Sequence, residues 1–155
     1  MPGLEDLYRE IILDHYRSPR NRGTLETPPA HMAKGHNPLC GDEIQVYLDV
    51  TDGVVSDIKV AGQGCSISQS SASMMSQAVK GKSLAEVRAL VRRFKGMMSV
   101  DEPDVDEAEQ AAADAVKLGD LEALQGVVKF PVRIKCATLA WNTLLQAMSE
   151  LPASA

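Results

Sequence analysis

Apolar residues Leu4, Leu7, Tyr8, Ile11 and Ile12, with His15 or Tyr16, recur at helical spacing and predict an amphipathic helix at the start of the chain. Ser18-Pro19 ends it. The basic run over 17–23 and then Pro28-Pro29 predict an irregular connection. The period then changes. Ile44, Val46, Leu48 and Val50 alternate with Gln45, Tyr47 and Asp49, which predicts a half-buried strand over 43–51. Asp52-Gly53 is a hairpin turn signal, and 54–61 reads as the returning strand, with Ile58 and Val60 on one face.

Beyond the hairpin the pattern is helical again. Residues 66–79 are rich in Ser, Ala and Met without a breaker, and Gly81 closes them. Ser83 and Glu86 form a capping box for a second helix, with Leu84, Val87, Leu90, Val91 and Phe94 on its buried face. The acidic stretch 99–110 contains Pro103 and reads as a solvated loop. A short helix is expected over 111–118 and another over 121–125, separated by Gly119-Asp120. Phe130-Pro131 opens the last helix, whose stripe is Ile134, Ala137, Trp141, Leu144, Leu145 and Met148. The methionines 74, 75, 97 and 98 read as packing residues. These elements predict one domain over 1–150 and a frayed tail over 151–155.

Composition narrows the function. A net charge of −5 argues against nucleic acid as the main partner. No apolar run reaches the roughly 18 residues of a membrane span, and the N-terminus lacks a signal-peptide pattern, so a cytoplasmic location is expected. Four arginines fall within the 14 residues from Arg9 to Arg22. That cluster reads as a solvated connector or as a partner-docking edge.

The candidate chemistry lies in three segments, each with one cysteine: Cys40 with Asp42, Cys65 and Cys136. Three thiolates and a carboxylate make a tetrahedral zinc set, and three thiolates also suit part of an iron–sulfur cluster. The hairpin brings the segments of Cys40, Asp42 and Cys65 to one end of the sheet. Cys65 and Cys136 each stand near a predicted helix N-terminus, where the dipole favours thiolate. Such a zinc site carries a net charge of about −2, so Arg133 and Lys135, flanking Cys136, are candidate compensating cations. Single cysteines, rather than paired Cys-x-x-Cys knuckles, suggest a site in which one ligand leaves and attacks a persulfide. His36, four residues before Cys40, is a weaker ligand candidate, and His15 reads as a residue of the packed or polar face of its helix.

The segments 7–12, 15–23, 37–42, 62–73, 119–125 and 130–141 together resemble the SufU type of the IscU/NifU-like iron–sulfur cluster assembly family. That resemblance implies an α+β fold, with a small antiparallel sheet of about three strands packed by helices, SufE/NifU-like. It implies Cys40, Asp42, Cys65 and Cys136 as zinc ligands, with iron or an iron–sulfur cluster as the alternative cargo. It also implies a zinc-dependent sulfurtransferase in which Cys40 accepts persulfide sulfur from a SufS-type cysteine desulfurase. A histidine of the desulfurase then replaces Cys40 on the metal, and Arg133 stabilises the released thiolate. The downstream partner is the iron–sulfur assembly machinery. The alternative is a scaffold on which the cluster itself is built. Scaffold-type relatives carry histidine immediately before the third cysteine; here that residue is Lys135. Their second and third cysteines are also closer together, so the stretch around 95–125 reads as an added segment.

Overall fold

The alternating stretch forms the central strand of a three-stranded antiparallel sheet, ordered β1 (His31–Asn37), β2 (Asp42–Thr51) and β3 (Val54–Gln63). The computed structural model describes residues 4–27, 29–38, 41–100 and 106–151. The remaining elements are α1 (Leu4–Arg17), α2 (Ser66–Val79), α3 (Leu84–Met97), α4 (Glu107–Asp114), a 3₁₀ segment (Gly119–Lys129) and α5 (Pro131–Ser149). The architecture is the expected α+β type.

Ile44, Val46 and Leu48 of β2 are buried together with Ile58 and Val60 of β3, as the period of two requires. The turn at Asp52 and Gly53 has both residues at positive φ, 53° and 74°, the conformation that matches the twist of a two-residue hairpin. Strand pairing slips between Asp49 and Val50, where Asp49 faces Asp57 but Val50 faces Val55. Ser56 is therefore the extra residue of a bulge, and its hydroxyl donates to the Asp49 carbonyl at 3.0 Å. The bulge changes the parity of β3. Val55 joins Ile58 and Val60 inside, while Val50 is only half-buried.

α5 packs on β1, β2 and α2, which places the last helix at the centre of the molecule. Its Trp141 is fully buried and stacks on Phe94 of α3, with ring centroids 4.3 Å apart. The indole N–H donates to Ser71 Oγ at 3.0 Å, and Ser71 donates to the Ala137 carbonyl at 2.6 Å. The serine-rich face of α2 is thus inside and hydrogen-bonded rather than solvated. Met74, Met75 and Met98 are buried in the same core, with Met97 at its edge.

α1 is held by a buried polar relay. The Arg20 backbone N–H donates to Ser73 Oγ at 2.9 Å, Ser73 lies 2.8 Å from His15 Nδ1, and His15 Nε2 lies 3.2 Å from Asp120 Oδ2. With the Ser73 oxygen already accepting, the arrangement fits a His15 tautomer that accepts at Nδ1 and donates from Nε2 to Asp120. His15 is fully buried, so its role is to tie α1, α2 and the 3₁₀ segment together.

Two helical expectations shift. The helix expected over 111–118 lies instead over Glu107–Asp114, so residues 107–110 of the stretch expected to be a solvated loop are helical. Asp106 accepts the Glu109 N–H at 2.7 Å and starts it one turn earlier, with acidic residues suited to its first turn. The short helix expected over 121–125 is a longer 3₁₀ run over Gly119–Lys129. Leu118, Leu121, Leu124 and Val127 are all buried at intervals of three, the period of a 3₁₀ helix.

The Ser83–Glu86 capping box forms as read. Glu86 N–H donates to Ser83 Oγ at 3.1 Å, and the Ser83 N–H donates to Glu86 Oε1 at 3.3 Å. Ser83→Ala is expected to cost about 1 kcal/mol of stability, because it orphans the Glu86 N–H. Urea unfolding measures this as a lower midpoint with an unchanged slope. Among the described residues no helix is long and apolar enough to cross a membrane.

Candidate metal centre

Three of the four expected ligands come together at one end of the sheet. One donor atom from each of Asp42, Cys65 and Cys136 lies within 4.8 Å of the other two. Asp42 opens β2, Cys65 caps α2, and Cys136 lies in the second turn of α5, so each ligand is set by the start of a different element. Cys40 lies outside the described residues. It belongs to the four-residue link between Asn37 and Asp42, which face each other as the last pair of β1 and β2.

Asp42 is fully buried and already oriented. Its Oδ1 accepts the Cys65 N–H at 2.9 Å, which leaves Oδ2 turned to the thiol at 3.9 Å. The Cys65 sulfur takes the place of the usual N-cap oxygen and accepts the Ser68 N–H at 3.4 Å. Gly64 makes this approach possible: a β-carbon at that position would collide with the Asp42 carboxylate and lie 2.5 Å from Ser68 Oγ.

The buried Cys136 sulfur accepts a hydrogen bond from Asn37 Nδ2 at 3.8 Å. Asn37 was not among the residues expected at the site. Its signal is positional: it precedes Cys40 by three residues and ends the edge strand that α5 covers. His36, its neighbour, is exposed and lies outside the three-donor group.

The two candidate cations differ. Arg133 lies beside both thiols, and its guanidinium is held above its ordinary pKa, chiefly by the negative charge of Cys65 and then by its interaction with Cys136. Lys135 is exposed and makes no hydrogen bond or ion pair among the described residues. A second arginine acts behind the ligands. Arg22 donates to Gln69 Oε1 at 2.8 Å and to the Gly62 carbonyl, which clamps the loop leading to Cys65 onto α2. Arg20 pairs with Asp14 at 2.6 Å. These two arginines of the basic connection therefore serve the fold rather than standing free.

The donor set fits zinc. Donors around a tetrahedral zinc at about 2.0–2.3 Å lie about 3.5–3.8 Å apart, so the observed spacing needs only a small contraction. Two sulfurs and a carboxylate match the chemistry of that ion. The same thiols also suit iron–sulfur ligation.

Known proteins carry the same arrangement of chain. The chain is 44% identical to the zinc-dependent sulfurtransferase SufU of Bacillus subtilis, over 95% of this chain and 92% of that protein. It is 40% identical to the iron–sulfur cluster assembly scaffold protein IscU of Streptococcus pyogenes, over 95% of this chain and 86% of that one. A crystal structure of a nitrogen-fixing NifU-like protein (N-terminal) from Brucella abortus superposes with a TM-score of 0.76 at 25% identity, covering 94% of each chain. Residues 7–137 match the family described as the NifU-like N terminal domain, a span that holds all three clustered donors, and the chain belongs to that family.

Proposed function

We propose that the protein is a zinc-dependent sulfur carrier that accepts persulfide sulfur from a SufS-type cysteine desulfurase and passes it to iron–sulfur cluster assembly in the cytoplasm. The observation that carries this reading is the convergence of Asp42, Cys65 and Cys136, each held by its own backbone or side-chain donor, with Arg133 against both thiols. Zinc, when bound, gathers the thiolates and protects them from oxidation. Asp42, Cys65 and Cys136 are the holding ligands, and Cys40 is the fourth ligand and the one that leaves.

The transfer itself is a thiol exchange. The Cys40 thiolate attacks the outer sulfur of the donor persulfide, the donor S–S bond breaks, and the donor cysteine departs as thiolate. Cys40 then carries the persulfide, and no external oxidant or reductant is consumed. Arg133 offers the departing Cys40 a cation close to the other two thiols. The high similarity to a protein named as a zinc-dependent sulfurtransferase supports this reading.

A scaffold role is the second reading, favoured by the similarity to proteins named as IscU scaffolds. Purified protein separates the two. The carrier reading expects one tightly held zinc per chain, faster turnover of the desulfurase when the protein is added, and sulfur found on Cys40 by mass spectrometry. A stable cluster handed to an apo-acceptor, with no stimulation of the desulfurase, would establish the scaffold instead.

A further inference from the structure

A groove of about 780 Å³ opens between α1 and the 3₁₀ segment and runs to the start of α5. Ile12, Ile67 and Val127 contribute apolar walls, and its charged lining residues are Arg9, Lys129 and Arg133. No carboxylate lines it among the described residues, although acidic residues outnumber basic ones 21 to 16 in the chain. Phe130, also in its wall, is 62% exposed, a large apolar surface left in water.

The groove borders the thiol site. Ser66 and Ile67 directly follow Cys65, and Arg133 both lines the groove and lies beside the thiols of Cys65 and Cys136. Whatever occupies it is therefore held beside the thiols of Cys65 and Cys136. An open trough with apolar walls and a basic rim matches a protein segment that presents apolar side chains inward and carboxylates at its edge.

We propose that this groove seats an acidic, apolar-faced segment of the protein that donates the persulfide, and so aligns the donor sulfur with the thiol site. The inference rests on the sulfur-carrier reading and adds the surface by which the donor is recognised. Arg9 and Lys129 steer and hold the acidic edge, while Phe130 and the groove walls cover the apolar face.

The test uses zinc-loaded full-length chain and the desulfurase, with sulfur transfer followed over a range of carrier concentrations at low and physiological salt. The pair Arg9→Glu and Lys129→Glu is expected to raise KM on the order of tenfold at low salt and to flatten its salt dependence, with kcat and zinc content kept. Phe130→Ser is expected to raise KM several-fold with the salt dependence intact. If the charge-reversed pair loses zinc or fold, the neutral pair Arg9→Gln and Lys129→Gln is used, with a smaller rise in KM expected. An unchanged KM in folded variants overturns the proposal. So does a wild-type dimer in sedimentation that the charge-reversed pair disperses, because the occupant is then a second copy of this chain. A wild type that takes no sulfur from the desulfurase overturns the carrier reading itself, a result separate from an unchanged KM.

Discussion

Cys40→Ala is expected to bring sulfur acceptance from the desulfurase to background, a fall on the order of a thousandfold or more, while the fold persists. The scale follows from removing the nucleophile of a covalent transfer, a loss that other side chains do not replace. Persistence of the fold follows from the anchoring of the link that carries Cys40. Asn37 at one end is tied to Cys136 of α5, and Asp42 at the other end is tied to the Cys65 N–H. Neither anchor uses the Cys40 side chain. Mass spectrometry of the added sulfur, with far-UV circular dichroism on the same sample, reads both expectations. Sulfur still accepted at the wild-type rate would remove Cys40 as acceptor and return the role to Cys65 or Cys136.

Gly64→Ala is expected to weaken zinc binding about 10–100-fold, although Gly64 supplies no ligand. The added methyl meets the Asp42 carboxylate and Ser68, the two groups that hold and cap the Cys65 turn. Either Asp42 rotates away and abandons the Cys65 N–H, or the turn opens and moves the thiol. Both routes disturb two donors at once. Competition for zinc with a chromophoric chelator measures the change, and retained wild-type affinity would show that the turn tolerates a β-carbon. A cobalt-substituted sample gives a second readout, since the sulfur-to-metal bands report thiolate ligation directly.

The parts of this fold that were legible in the sequence are those with a strong local period or a specific cap. The alternation of Ile44, Val46 and Leu48 marked β2, and the Ser83 and Glu86 pair marked the start of α3. β1 was not legible from its own residues. His31–Asn37 buries only Ala33 and Asn37, because it is an edge strand defined by its pairing with β2. The start of α4 was hidden by the acidic composition around it, although Asp106 and Glu109 carry a cap signal. The 3₁₀ segment was hidden for a different reason: leucines at intervals of three satisfy a helical reading as easily as a 3₁₀ one.

The site divides in the same way. Cysteines and an aspartate announce metal chemistry by residue type, so Asp42, Cys65 and Cys136 could be named before their geometry was known. The glycine before Cys65 could also be read as allowing a tight turn around an ion, which Gly64 does; Asn37 and Arg22 could not, because their roles depend on which strand end or loop lies against them. Arg133 and Lys135 looked equivalent as neighbours of Cys136. Only the helix phase of α5 separates them, with Arg133 against the thiols and Lys135 in solvent.

The placement of Cys136 on the last helix has a consequence for biosynthesis. Roughly 70 residues separate Cys65 from Cys136. At translation speeds of ~5–20 residues per second, the ribosome takes several seconds to cover that distance. During that interval the nascent chain offers Asp42 and Cys65 without the helix that packs across β1, β2 and α2 and completes the cluster. Zinc capture is thus a late event in the life of each chain, and until it happens the thiols made first are exposed to adventitious oxidation.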